Sequence, residues 1–206
     1  MIIKNIAGER FFVAPGSSLE GLDLRGADLT EANLTEANLI DVNLHSANLT
    51  KAELGGAFFQ CANLAKANLT GANLMWANLR DANLTETNLT EANLTKAHLI
   101  GARLMKSNLT GANLTGAYLA RANLTGAIMP DGRTWEEYQA DPLAGICEDQ
   151  EARDRALSAW NSHSWFECPM HAAYGWESVG DAPETKRFLV GMFITLFDAE
   201  LLKEAK

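Results

Sequence analysis

Apolar positions in this chain recur every five residues rather than every two or every 3.6. Leucine stands at 19, 24, 29, 34, 39, 44, 49 and 54, Phe59 takes the next place, leucines continue from Leu64 to Leu124, and Met129 closes the run. Two residues before these positions sits a small residue, as at Ala27, Ala32, Ala37, Val42 and Ala47, with Thr87 and Ser107 as polar substitutes. Between the two lies usually Asn, or Asp at 23 and 28, so the unit is Ala-Asn-Leu-X-X. A helix would wind such a leucine row around its whole cylinder, and a plain strand would alternate it between faces. A fixed short repeat points instead to a stacked coil whose neighbouring turns bury a shared core. The leucine and the small residue two before it then point inward, and the other three form the outer wall and the corner. Four sides give a square coil of 20 residues, and 17–130 holds nearly six coils. With strands stacked roughly 4.8 Å apart, the rod is on the order of 25–28 Å long.

Runs such as Ala32-Asn33-Leu34-Thr35-Glu36 and Ala112-Asn113-Leu114-Thr115-Gly116 resemble the pentapeptide-repeat proteins. The resemblance covers a little over half the chain, in an unbroken run of in-frame units. It implies a mainly β fold, a right-handed quadrilateral β-helix, here followed by a small α-helical C-terminal region. The family's central residue would be Leu24, Leu29, Leu34 and onward, and its inward small residue Ala27, Ala32, Ala37 and onward. The coil-plus-helical-tail layout also resembles cyanobacterial members, which makes a bacterial source the expectation.

The chain divides into three parts. Residues 1–16 read as an N-terminal cap: Ile2, Ile3 and Ile6, then Phe11, Phe12 and Val13, flank turn signals at Asn5, Ala7-Gly8 and Pro15-Gly16 and predict a short strand pair. Residues 17–130 are the repeat, ended by the turn Met129-Pro130-Asp131-Gly132. Residues 131–206 form a capping or interaction region. There 131–147 reads as irregular, with Pro142 and Gly145. Glu148 to Asn161 reads as an amphipathic helix, with Ala152, Ala156, Leu157 and Trp160 on one stripe. Pro183 opens a final helix to about Ala205, its stripe Phe188, Leu189, Met192, Phe193, Leu196 and Leu201. This tail is expected to cover the last coil above Leu114, Leu119 and Leu124.

Stepping by one coil sorts the outer wall into sides. One carries Thr30, Thr50, Thr70, Thr90 and Thr110 beside Asn48, Asn68, Asn88 and Asn108, a row suited to β-structure and cross-strand hydrogen bonding. A Thr row also belongs to ice-binding β-helices, but the second parallel Thr row is Asn here. The side centred on 19, 39, 59, 79, 99 and 119 differs. Its outward residues include Ile40, Phe58, His98, Ile100 and Tyr118, with Trp76 at the approaching corner. Clustered exposed aromatics and isoleucines mark contact surfaces. Either a protein partner or the chain's own tail would cover them.

The net charge is −9. Residues 17–130 carry ten acids against eight bases, and 131–206 fifteen against seven, so the tail holds most of the excess. Within the repeat, 17–56 is −5 and 57–130 is +3. No basic patch points to direct nucleic-acid binding. Some pentapeptide-repeat proteins resemble B-form DNA and protect DNA gyrase from quinolones; that resemblance implies a strongly negative rod, which this one departs from. No stretch is long and apolar enough to predict a membrane span, and the absence of a leader pattern at Met1-Ile2-Ile3-Lys4-Asn5 with three cysteines makes a cytoplasmic location the expectation.

Candidate chemistry is confined to the tail. Cys147, His163, Cys168 and His171 offer thiolate and imidazole of the kind zinc takes, though their spacing matches no zinc module and cysteine also packs as a buried hydrophobe. Cys168 and His171 could form a nucleophile pair, but Pro169 intervenes. The reading is therefore a non-enzymatic scaffold or protein-binding module with no cofactor and no catalytic residue. Its expected partner is a protein, through Ile40, Phe58, Trp76, His98, Ile100 and Tyr118, with pairing of two copies through the final helix as a further expectation.

Overall fold

A computed structural model of the chain describes residues 2–4, 10–12 and 15–140. Residues 15–130 wind into the square coil that the five-residue period predicts. Each bridging residue pairs in parallel with the residue 20 further on, from Ser18–Asn38 to Asn108–Ile128. Every central residue from Leu19 to Met129 is buried, and from Ala27 to Ala127 so is the small residue two before it. Burying a leucine contributes roughly 1.5–3 kcal/mol, so the lumen carries most of the stability of the rod.

A single unit shows why the coil can stack. In Ala47-Asn48-Leu49-Thr50-Lys51 the Asn48 N–H donates to Ala27 of the preceding coil at 2.9 Å, and Leu49 and Lys51 donate to Asn68 and Thr70 of the following coil at 2.7 and 2.9 Å. Ala52 closes the corner onto the Leu49 carbonyl at 3.1 Å. One N–H per unit is left, and the Asn side chain accepts it: Thr50 N to Asn48 Oδ1, 3.2 Å. All five backbone donors are thus satisfied, as buried or half-buried peptide groups require. This explains why the unit carries Asn or Asp between its two inward residues.

The corner is a four-residue turn with positive φ at its third position, the sign pattern of a type II turn. Gly71 and Gly111 take that position at φ 64° and 69°, where glycine has no Cβ to clash. Glu31, Lys51, Trp76 and Glu86 hold it too, at φ 55–62°. Each such residue costs on the order of 1 kcal/mol, which the flanking coil-to-coil bonds offset. The polar substitutes in the lumen are satisfied: Thr87 Oγ1 donates to Leu64 O and Ser107 Oγ to Leu104 O, each at 2.8 Å.

Two elements flank the coil. At the N-terminus β1 (Ile2–Lys4) pairs antiparallel with β2 (Arg10–Phe12), Ile3 opposite Phe11, as the apolar pattern predicts. At the other end 131–147 is not wholly irregular: α1 (Trp135–Ala140) follows the exit turn. Thr134 is its N-cap. Glu137 Oε2 accepts from Thr134 N at 2.8 Å, and Glu137 N donates to Thr134 Oγ1 at 3.2 Å, a reciprocal capping box. The Thr134 N–H first, and then the Thr134 hydroxyl donating to Glu137 Oε2 at 3.0 Å, hold the Glu137 carboxyl below its ordinary range.

The helix buries Trp135 and Tyr138 against the end of the lumen. Trp135 N donates to Ala127 O at 2.7 Å, and Gly126 N donates to Glu136 Oε1 at 2.8 Å. The expected helices at 148–161 and 183–205 lie outside the described residues.

Candidate functional site

The four sides share one backbone and one kind of lumen, and differ in what stands outward. On the side with central residues 29, 49, 69, 89, 109 and 129, Asn and Thr form a relay. Asn88 Nδ2 donates to Thr70 Oγ1 at 3.0 Å, Thr70 to Asn68 Oδ1 at 2.6 Å, Asn68 to Thr50 at 2.9 Å, Thr50 to Asn48 at 2.6 Å, Asn48 to Thr30 at 2.7 Å, and Thr30 to Asp28 at 2.6 Å. Chained bonds polarise one another. The relay ends on a carboxylate, and the Thr30 hydroxyl holds Asp28 below its ordinary range.

The side with central residues 19, 39, 59, 79, 99 and 119 breaks this pattern. Its outward row is Ser18, Asn38, Phe58, Asn78, His98 and Tyr118, held in register by successive parallel bridges. Phe58, His98 and Tyr118 offer no Asn oxygen, and the N–H groups of Gln60, Ile100 and Ala120 find no acceptor among the described residues. Phe58 is 43% exposed and Tyr118 49%. His98 is half-buried, its ring tilted 43° against Tyr118 with centroids 4.7 Å apart. Ile40 and Ile100 are half-buried beside this row.

The leading corner of the same side is a second column: Gly16, Glu36, Gly56, Trp76, Lys96 and Gly116. Coil-to-coil bonds hold it, among them Glu36 N to Gly55 O at 2.9 Å, Gly56 N to Met75 O at 2.9 Å and Trp76 N to Thr95 O at 3.0 Å. Trp76 stands at φ 62° with 50% of its surface in solvent. A bulky residue in the left-handed region is a true conformational outlier. Lys96 Nζ lies 4.6 Å from its ring centroid, a cation–π contact. Met75, beside it, is 39% exposed.

The structure thus brings Phe58, Trp76, His98, Ile100 and Tyr118 onto one surface, with Ile40 toward its N-terminal end. Sequence reasoning misses Met75 and Lys96. Both had a signal: Met75 stands in one column with Thr35, Gly55, Thr95 and Thr115, and Lys96 lies one coil after Trp76. Among the described residues, the exposed large apolar side chain on the Asn/Thr side is Ile128, whereas Phe58, Met75, Trp76 and Tyr118 belong to this side and its corner. Cys147, His163, Cys168 and His171 lie outside the described residues. Among the described residues no helix is long and apolar enough to cross a membrane.

Residues 16–45, 43–81, 72–111 and 102–131 match the family model for pentapeptide repeats, in eight copies. The chain belongs to the pentapeptide-repeat family. Its fold is the family's quadrilateral β-helix. Among solved structures this pentapeptide-repeat protein is similar to HetL, involved in heterocyst differentiation regulation, from the cyanobacterium Nostoc sp. strain PCC 7120: 37% identical, covering 57% of this chain and 65% of that one, TM-score 0.36. It is also similar to Rfr23 from the cyanobacterium Cyanothece 51142, 32% identical over 54% of this chain and 83% of that one, TM-score 0.41. QnrB1, a plasmid-mediated fluoroquinolone resistance protein, is 19% identical over 56% of this chain and 64% of that one, TM-score 0.35. The chain therefore spans just under two thirds of the length of HetL. No curated protein matches it.

Proposed function

We propose that this pentapeptide-repeat protein is a non-enzymatic binding module whose docking surface is the aromatic side of the coil. One observation carries the reading. Trp76 is held half-exposed at a corner, between Met75 and Lys96 and next to the row of Phe58, His98 and Tyr118. Aromatic side chains dominate contact energetics where they are buried on binding. The rest of the wall is Asn, Thr and charge, already bonded to itself on the Asn/Thr side.

The partner's chemistry follows from the side. It must offer an apolar centre for Phe58, Trp76 and Tyr118 and acidic groups toward Arg80, Lys96 and Arg121 on the C-terminal coils. Direct nucleic-acid binding has no support in the near-balanced charge of 17–130. The DNA-mimic reading lacks its electrostatic requirement for the same reason.

Affinity capture with purified protein tests this. Replacing Phe58, Trp76 and Tyr118 by serine should leave the thermal unfolding midpoint within a few degrees and remove the partner that wild type retains. Equal capture by the triple variant would sink the reading.

A further inference from the structure

The two columns of the aromatic side are self-complementary when one copy is inverted. Read from the N-terminal coil upward, the corner column is Gly16, Glu36, Gly56, Trp76, Lys96, Gly116. Turned end over end and laid against itself, it sets Glu36 opposite Lys96, Gly56 opposite Trp76, and Gly16 opposite Gly116. The same operation sets Met75 opposite Gly55 and Ile40 opposite Ile100. Trp76, the most exposed large apolar side chain among the described residues, and Met75 thus meet the one stretch of the corner with no side chains: Gly55 and Gly56, whose carbonyl and N–H already serve the stack. Like charges oppose each other in the parallel arrangement, which sets Glu36 against Asp41 of the second copy. They do so also in the antiparallel register moved up by one coil, which sets Arg80 and Asp81 each against itself.

We propose that the occupant of this side is a second copy of the chain, forming an antiparallel two-fold dimer centred between Phe58 and Asn78. This rests on the docking reading above and names its partner. A two-fold interface repeats each pairing twice, so two Glu36–Lys96 pairs flank two Trp76 rings seated over Gly55-Gly56. The charge difference between the ends of the repeat, −5 for 17–56 and +3 for 57–130, favours the same head-to-tail sense. The footprint of one side of a short rod falls toward the small end of specific interfaces, so dissociation constants on the order of micromolar are expected.

Sedimentation equilibrium of the full chain over a range of concentrations reads the result. Wild type should pass from monomer to dimer, and Trp76→Asp should weaken association at least tenfold. Glu36→Lys alone and Lys96→Glu alone should each remain monomeric, because each sets like charges opposite one another twice. An equimolar mixture of those two variants should dimerise, since every 36–96 pairing across the heterodimer is then between opposite charges. Both substitutions lie at exposed corners where the wild-type residue already has positive φ, and circular dichroism checks that the variants are folded. Wild type that stays monomeric at every concentration overturns the dimer. So does a dimer indifferent to both charge reversals, which would lie elsewhere on the chain. If wild type is monomeric while the Phe58, Trp76 and Tyr118 triple variant still loses a captured protein, the docking reading stands and the second copy is not its occupant.

Discussion

The Asn/Thr side and the aromatic side are built on the same rungs and diverge only in what points outward. On the first, each Asn oxygen accepts a backbone N–H and a Thr hydroxyl, and each Asn amide from Asn48 to Asn88 donates to the coil before it. On the second, Phe58, His98 and Tyr118 replace the acceptor, and apolar surface is left in solvent. The lumen does not register the difference: Leu49, Leu69, Phe59, Leu79 and Leu99 are all fully buried. The inward pair of each unit therefore specifies the coil, and the outward row is free to be either a self-satisfied wall or a contact surface.

The largest effects should ignore which side is struck. Leu89→Ala on the Asn/Thr side and Leu79→Ala on the aromatic side should each cost about 2–5 kcal/mol, the usual range for a buried leucine, as read from chemical denaturation. A cost confined to one side would mean that the wall, rather than the lumen, holds the rod together. Ala82→Leu should overpack the lumen for about 1–3 kcal/mol. The next effect should separate the sides. Asn68 makes three bonds, to the Thr70 N–H, the Thr70 hydroxyl and the Thr50 hydroxyl. Asn78 accepts only the Arg80 N–H, at 3.3 Å. Asn68→Ala should therefore cost about 1.5–4.5 kcal/mol and Asn78→Ala about 0.5–1.5, taking roughly 0.5–1.5 kcal/mol per net bond. Equal costs would show that the relay adds nothing beyond the backbone.

What the sequence discloses divides along the same line. The lumen is legible because a strict period of five admits one burial pattern, and the aromatic side is legible because sides follow from counting in coils. The backbone at the corners is not. Glu31, Lys51 and Trp76 have no local preference for positive φ; closure of the square coil imposes it, and only coordinates reveal that Trp76 is strained. That Lys96 stands one coil above Trp76 follows from the same counting in coils; that its ammonium lies over the ring does not. The helix α1 was legible and is misread when 131–147 is taken as irregular. Pro142 and Gly145 draw attention downstream, while Thr134-Trp135-Glu136-Glu137 carries a capping box and two acids in the first turn.

Tyr138 offers a finer test at that end. Its ring is fully buried and its hydroxyl finds no acceptor among the described residues. Burial holds the phenol well above its ordinary range. Tyr138→Phe removes only the hydroxyl. If that group is unpaired, stability should be unchanged or raised by up to about 1 kcal/mol. A loss of more than about 1 kcal/mol would show that a residue outside the described set bonds to it.

The smallest expected effect is the sharpest for the contrast between sides. Phe58→Asn converts one rung of the aromatic side into the unit used elsewhere. The new Oδ1 could accept the Gln60 N–H, as Asn63 accepts that of Ala65 at 3.2 Å. Its amide could join a ladder like Asn83–Asn63–Asn43, spaced at 3.2 and 3.1 Å. Against this stands the loss of whatever packing a ring 43% exposed provides. One gained bond is worth about 0.5–1.5 kcal/mol, and a half-exposed ring recovers only part of its burial energy, so the variant should be as stable as wild type or slightly more so. Its thermal midpoint should rise by at most a few degrees while partner binding falls. A fall in stability of more than about 1 kcal/mol would mean that Phe58 packs as part of the fold, and the aromatic side would then be an extension of the core instead of a surface held ready for a partner.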